Sequence, residues 1–317
     1  MKNITLVFSS IILLLGIFTI SWKKPSIDEK HQEKSTYTVD ENFKNHWGDG
    51  KAEIASYDLQ QSRYGELHTG EATMIFVTEP FSKSKQVKLD NHRNKKDKVE
   101  VLKLNAVRKF NTGIYPYSTM TSIFNAYETD GKALKVSTSV QEWCGHAFLQ
   151  FNRKGNKVNF SGHSYFESEG DVEADISDAY MEDELWNMIR INPELLPTGN
   201  FKLIPASLFL RLKHHSPQVT SASAKLTKTQ NQQFSDGELY EYTVEYTQPE
   251  TRAISIYFDT TFPFQIKGWQ EKGRPIQLGT SSEAAPLTTT AILKKAIRLD
   301  YWSKHNNVHR ELKSLLE

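Results

Sequence analysis

Apolar and polar residues alternate with a period of two over most of the chain, which is typical of half-buried β-strands. The alternation is clearest in residues 238–247, and a turn at Gln248-Pro249 leads from there into further strands of the same kind. The aromatic rings on the shared face of these strands are Tyr240, Tyr242, Tyr246, Phe258 and Phe264. Short strands joined by tight turns predict a mainly β fold of the α+β type, built on a large curved antiparallel sheet or half-barrel meander.

Two segments have the apolar spacing of a helix instead. Residues 176–191 carry an apolar stripe that includes Leu185 and Met188, and Asn192-Pro193 ends it. Residues 287–316 carry Ile292, Ala296, Leu299 and Trp302 at helical spacing. These patterns predict one mid-chain helix and one C-terminal helix that covers a face of the sheet.

Residues 141–171 read as a β-hairpin that turns at Lys154-Gly155-Asn156. One face, which includes Trp143, Leu149 and Phe151, is apolar and is predicted to join the core. A four-residue turn places His146 opposite His163, whereas a two-residue Gly-Asn turn shifts the pairing by two and leaves the faces unchanged. The other face carries Glu142, Cys144, His146, His163, Tyr165 and Glu167.

That polar face is the candidate site for chemistry. His146 and His163, with a carboxylate from Glu142 or Glu167, are ligand types that zinc accepts. Cys144 beside a histidine is the alternative, as a nucleophile. A solvent-facing or structural role is the third interpretation, because the spacing matches no metal or catalytic signature.

Composition sets wider limits. The chain has 317 residues, of which 38% are hydrophobic and 24% charged, so it can bury a sizeable core. A formal net charge of +1 and the lack of a basic stripe argue against a nucleic-acid partner. Cys144 is the only cysteine, so the chain has no internal disulfide.

The N-terminus has the layout of an export signal. Lys2 precedes an apolar stretch at 4–20, which predicts a signal peptide or membrane anchor over residues 1–21. The polar residues 22–44 predict a flexible tether, and 45–317 a single β-rich domain, with two sheet halves meeting near 192–202 as a variant. The protein is therefore expected to be exported, periplasmic or attached to the cell envelope. No cysteine lies directly after the apolar stretch, so a lipoprotein anchor is not expected there.

Several sequence blocks resemble a set of exported or envelope-attached proteins of the Bacteroidetes group, of unknown function, often labelled "septum formation inhibitor Maf". The blocks are Asp49-Gly50-Lys51-Ala52-Glu53, Arg63-Tyr64-Gly65-Glu66, Phe76-Val77-Thr78-Glu79-Pro80-Phe81, Asn111-Thr112-Gly113-Ile114-Tyr115-Pro116-Tyr117-Ser118, Gln141-Glu142-Trp143-Cys144-Gly145-His146 and His163-Ser164-Tyr165-Phe166-Glu167-Ser168-Glu169-Gly170-Asp171. The resemblance covers most of the chain from about residue 45 onward. True Maf proteins resemble nucleotide pyrophosphatases with a Ser-x-Ser-Pro-Arg-Arg block, which this chain lacks, so the resemblance implies no such activity.

Three hypotheses about function follow from the sequence. In the leading one, the protein is non-catalytic and binds an apolar small molecule or an envelope protein on the aromatic face of its curved sheet. In the second, it is a metal-assisted hydrolase that uses the two histidines of the hairpin. In the third, it is a purely structural envelope module. The N-terminal segment would attach it to a membrane if the segment is not cleaved.

Overall fold

Most of the chain forms one large β-sheet, which confirms the mainly β prediction. The structure is a computed structural model that describes residues 38–90, 95–274 and 286–317. The strands in these ranges are β1 Ala52–Arg63, β2 Glu66–Ser82, β3 Lys98–Thr112, β4 Tyr115–Ala126, β5 Ala133–Glu142, β6 Gly145–Lys154, β7 Lys157–Ser164, β8 Val172–Ser177, β9 Tyr180–Met181, β10 Gly199–Ile204, β11 Thr220–Gln230, β12 Glu238–Tyr246, β13 Arg252–Asp259, β14 Ile266–Gly273 and β15 Leu287–Leu299.

The sheet is curled so that its two edges come close together. Its strand order is β8-β7-β6-β5-β4-β3-β2-β1-β15-β14-β13-β12-β11-β10-β9, and every described pairing except β9 with β10 is antiparallel. The edge strand β8 ends at Ser177, and β9 at the opposite edge begins at Tyr180. Three Cα–Cα steps span at most about 11 Å. The two residues Asp178-Ala179 therefore join the two edges directly. This link comes earlier in the chain than residues 192–202, where the sequence variant placed the meeting of two sheet halves.

Short helices fill the inside of the curled sheet. The α-helices are α1 Glu41–Trp47, α2 Leu185–Ile191 and α3 Ser207–Lys213, and the 3₁₀ turns are Glu167–Glu169, Glu182–Glu184, Pro193–Leu195, Tyr301–Ser303 and Asn307–Leu316. All seven residues of α2 are buried, and the helix contacts β3 and β4. α3 contacts β4, β5 and β6. One continuous hydrophobic core results, and it joins both halves of the sheet.

The curled sheet has two different ends. α1 packs at one of them, where the Phe43 ring lies 4.9 Å from Tyr127 in the β4–β5 connection. We call this the α1 end. The opposite end, which we call the mouth end, carries the β1–β2, β3–β4, β5–β6, β7–β8 and β12–β13 connections.

The predicted C-terminal covering helix is wrong. Residues 287–299 form β15, which pairs with β1 on one side and β14 on the other. The two neighbouring strands each need a partner for their backbone hydrogen bonds, and this requirement outweighs the helical spacing of the apolar residues. The last element, Asn307–Leu316, is a 3₁₀ segment with no buried residue, so it covers no core face.

The mid-chain helix is shorter than predicted. Residues 172–177 form the edge strand β8, and α2 begins only at Leu185. Glu182–Glu184 form a 3₁₀ turn ahead of α2, and all three of these acidic residues are buried. Residues 182–191 therefore run through the protein interior, and the acidic side chains of Glu182–Glu184 are buried there.

The hairpin of residues 141–171 adopts the two-residue turn. Lys154 pairs with Lys157 across Gly155-Asn156, so Phe148 lies opposite His163. The direct pairing of His146 with His163 was therefore wrong. Trp143 was also misplaced, because β5 ends at Glu142 and the indole lies in the next turn, 67% exposed.

At the N-terminus the folded part begins earlier than residue 45. Val39 and Phe43 are buried and α1 starts at Glu41, so the tether prediction was wrong for residues 38–44. The apolar stretch at 4–20 and the rest of the tether lie outside the described residues. Within the described ranges, no helix has the length and apolarity needed to cross a membrane.

Candidate functional site

A cavity of about 100 Å³ lies inside the curled sheet, between its two halves. One wall comes from β1–β4, the other from β13–β15, and α2 and α3 supply the side. The apolar lining residues are Ala72, Met74, Ala106, Val107, Ile123, Trp186, Ala206, Leu208, Phe209, Leu212, Ile254, Trp269 and Leu287. The lining extends to the mouth end, where it includes the exposed Arg274, so the cavity reaches solvent there.

A chain of ion pairs crosses the cavity wall. Arg108 donates to Glu271 at 2.5 Å, and Glu271 lies 3.3 Å from Arg252. Arg252 also pairs with the buried carboxylate of Glu182, which accepts a hydrogen bond from Tyr246 at 2.9 Å. Burial opposes ionisation of Glu271, but the two arginines outweigh burial and lower its pKa to about 2. Each of these charges has an opposite charge as its partner, so the wall contains the network without an unpaired ion.

Asp183 is a buried carboxyl group that lines the same cavity. Its Oδ2 accepts a hydrogen bond from the Ser207 backbone N–H at 2.8 Å. Burial is the main cause that raises its pKa to about 7, and the neighbouring Glu182 carboxylate adds to the rise. Asp183 therefore changes its charge near neutral pH, inside a cavity, which marks it as a candidate site residue.

Two buried N–H donors of the lining have no hydrogen-bond partner in the described part of the chain. They are Nε1 of Trp269 and Nε of Arg63, at 1% and 7% residue exposure. A buried donor without an acceptor costs free energy, and native proteins contain few of them. An acceptor atom in the cavity would satisfy such a donor.

The five aromatic residues predicted to bind a ligand lie elsewhere. Tyr242, Tyr246 and Phe258 are buried in the core, and Tyr242 donates to the Pro197 carbonyl at 2.7 Å. Tyr240 and Phe264 are partly buried and pack against the core. None of the five is among the lining residues of the interior cavity. Their placement matches core packing, which is the usual role of buried rings.

The predicted polar site is a set of side chains at the mouth end, all of them exposed except the half-buried Glu142. Cys144 lies in the β5–β6 turn and is exposed, and its backbone N–H donates to the Glu142 carboxylate at 2.7 Å. A hydrogen bond with that carboxylate raises the pKa of the Cys144 thiol. The raised pKa disfavours the thiolate, which is the nucleophilic form. Glu167 is exposed in the 3₁₀ turn that follows β7.

The two histidines face a shallow surface groove that also includes Tyr165. His146 lies beside Tyr165, whose backbone N–H donates to the His146 carbonyl at 3.2 Å. His163 Nδ1 lies 2.8 Å from Asp171 in a solvent-exposed pair. Within residues 38–90, 95–274 and 286–317, no three His, Cys, Asp or Glu side chains lie close enough to hold a metal ion. The zinc site at His146 and His163 stays a prediction.

Sequence reasoning missed the charged residues of the cavity. Arg108 occupies an inward position in β3 after Leu104 and Ala106, and Arg252 begins the inward series of β13. A charge at an inward position of an alternating strand is the signal that could have found them. Their partners could not be found in this way, because Glu271 and Glu182 are 163 and 70 residues away in the sequence.

The fold and site together define a curled antiparallel sheet with a small, partly polar internal cavity. No family model and no curated protein matches the chain. A solved structure from Brucella abortus, titled "Crystal Structure of Beta-barrel-like Protein of Domain of Unknown Function DUF1849", is similar to it at 10% identity, covering 79% of this chain and 98% of that chain, with a TM-score of 0.46.

Proposed function

We propose that the protein is a non-catalytic binding protein of the cell envelope that holds a small amphipathic ligand in its interior cavity. The observation that carries the proposal is the combination, in one cavity, of an apolar wall and two buried N–H donors without a partner in the described ranges. Ligand sites commonly have this composition, with many apolar contacts and a few polar groups that fix orientation.

The size of the cavity limits the ligand. A dry cavity of about 150 Å³ is known to accept benzene, so about 100 Å³ suits about four apolar non-hydrogen atoms, and a longer chain extends toward the mouth end. A folded partner segment is too large to enter, and this favours the small-molecule form of the sequence hypothesis. The envelope location rests on the apolar N-terminal stretch at 4–20.

Catalysis is not part of the proposal because the carboxylates of the cavity already have partners. Glu182 and Glu271 accept hydrogen bonds from arginines, and Asp183 accepts the Ser207 N–H. These hydrogen bonds fix the positions of the three side chains in the cavity wall, and the arginines compensate the charges of Glu182 and Glu271. An aldehyde, alcohol or acid with a short hydrocarbon chain has the corresponding shape and polarity.

Ala106→Leu tests the proposal by filling the cavity. Isothermal titration calorimetry of the full-length protein with hexan-1-ol and with hexanoate is expected to show saturable one-to-one binding of at least one of them. The added side chain should weaken that binding by about tenfold or more, since a change of 1.4 kcal/mol is already tenfold. Ala174→Leu, on the exposed edge strand β8, adds the same atoms outside the cavity and should leave binding unchanged.

Two results would count against the proposal. One is that neither compound binds and that native mass spectrometry of protein purified from its own envelope finds no small molecule. The other is that Ala106→Leu folds normally, by circular dichroism, and binds as well as the unmodified protein.

A further inference from the structure

Arg63 differs from the other buried arginines in its partners. Four arginines are buried in the described part of the chain: Arg63, Arg190, Arg211 and Arg252. The last three each pair with a carboxylate, from Glu53, Glu169 and Glu182 respectively. In the same ranges, Arg63 has no carboxylate within 4.0 Å.

The partners of Arg63 are neutral. Its Nη1 donates to the Leu212 carbonyl, and its Nη2 donates to the hydroxyls of Tyr64 at 3.1 Å and Tyr117 at 3.4 Å. The guanidinium also lies over the rings of Tyr64 and Tyr117, 4.3 and 5.5 Å from their centroids. These contacts hold the group in place, and none of its partners among the described residues carries a negative charge. Buried charges in proteins are normally paired with an opposite charge.

The position of Arg63 connects this charge with the cavity. Arg63 is the last residue of β1 at the mouth end, and its side chain lines the cavity. Lys213 and Arg274 line the same region, and so does Glu250, which pairs with Lys213 at 2.6 Å. The interior pairs of Arg108 and Arg252 with Glu271 and Glu182 balance one another. Among the described lining residues at the mouth end, the positive charges of Arg63, Lys213 and Arg274 therefore outnumber the negative charge of Glu250.

We propose that the ligand is a small amphipathic carboxylate, whose head binds Arg63 at the mouth and whose apolar chain lies in the cavity. The inference rests on the proposed function and adds the chemical class of the ligand. Nε is the one nitrogen of Arg63 without a partner among the described residues, so it offers a charge-assisted hydrogen bond to a carboxylate oxygen.

The test compares hexanoate with hexan-1-ol, which have the same chain length and differ in charge. Titration calorimetry of the full-length protein at about pH 6, where a carboxylate is ionised, is expected to show that hexanoate binds about tenfold to a hundredfold more tightly, the range for a hydrogen bond to a charged group. Arg63→Gln should abolish this preference and change the affinity for hexan-1-ol by less than about twofold.

Arg298→Gln is the matched control. Arg298 also has a buried Nε without a partner in the described ranges, but it pairs with Asp49 at 2.9 Å and does not line the cavity. This variant should keep the preference for hexanoate. Arg63→Lys, which retains a cation, should keep most of it, and supplies the test if Arg63→Gln does not fold.

The outcomes separate the two proposals. If the unmodified protein binds both compounds equally, or if Arg63→Gln still prefers hexanoate, the carboxylate inference is overturned and the binding function stands. If the unmodified protein binds neither compound, the carboxylate inference is overturned, and the proposed function is overturned with it if native mass spectrometry of protein purified from its own envelope also finds no small molecule.

Discussion

Two buried arginines at opposite ends of the curled sheet differ in the charge of their partners. At the α1 end, Arg190 makes a bidentate pair with Glu53 at 2.6 and 2.7 Å, and its Nε donates to the Pro263 carbonyl at 2.9 Å. At the mouth end, Arg63 has only carbonyl and hydroxyl partners in the described ranges. The comparison shows one buried arginine whose charge is compensated by a carboxylate and one whose partners in the described ranges are all neutral.

Charge pairs also hold the seam, which is the Asp178-Ala179 link between the two edge strands β8 and β9. Arg153 pairs with Glu184 and Asp178, both at 2.7 Å, and donates to the Ala179 carbonyl beside the link between β8 and β9. Bidentate and networked pairs of this kind fix geometry. Charge pairs therefore hold the α1 end and the seam, and the proposed ligand site lies at the mouth end.

The largest expected effect concerns the stability difference between these arginines. Arg190→Gln leaves the buried Glu53 carboxylate without its partner and should lower the free energy of unfolding by about 3–5 kcal/mol. Arg63→Gln leaves only neutral acceptors and should cost less than about 2 kcal/mol. Urea unfolding followed by circular dichroism measures both values. Equal losses would show that the two ends do not differ in the way described, and the double variant Arg190→Gln with Glu53→Gln should recover part of the loss.

A smaller effect is expected from Asp183. Its pKa is about 7 in the folded protein against the ordinary value of 3.8, so the folded state holds this proton more tightly than the unfolded chain does. Its contribution to stability therefore falls as pH rises from about 4 to about 7. Asp183→Asn has no proton to lose, so its stability relative to the unmodified protein should increase by about 2–3 kcal/mol between pH 5 and pH 8. A constant difference across that range would contradict the assignment.

The smallest effect is expected at the exposed His163–Asp171 pair. Both side chains are solvent-exposed, so His163→Ala should change the free energy of unfolding by less than about 0.5 kcal/mol. It should also leave hexanoate binding unchanged, because His163 does not line the interior cavity. A loss of binding in this variant would move the site from the cavity to the outer groove.

Much of the fold could be predicted from the sequence because alternation reports which face of a strand is buried. The strands of residues 238–258 and the hairpin around Gly155-Asn156 follow that rule. The rule failed for residues 287–299, where the apolar spacing fits a helix but the neighbouring strands β1 and β14 impose a strand. The local pattern of apolar residues does not predict which distant segments pair as strands.

The candidate site was harder to predict for the same physical reason. Tyr242 and Phe258 have the pattern of a ligand-binding face, yet the same pattern serves core packing, and both are fully buried. Arg63 precedes Tyr64-Gly65 in what the sequence shows only as a turn. It is buried against Leu212 and Tyr117, which lie far from it in the sequence and contact it only in the folded protein. A charge brought inside by tertiary structure leaves little trace in the local sequence.

Contact between a ligand and the inner wall is the most direct test of the account. Met74 is buried in β2 and lines the cavity, so its methyl group reports on the interior. With ¹³C-labelled methionine methyl groups, nuclear Overhauser effects are expected between bound hexanoate and the Met74 methyl of the full-length protein. Saturable binding with no effect at Met74, or with effects only at exposed rings such as Trp143, would contradict a ligand site inside the curled sheet.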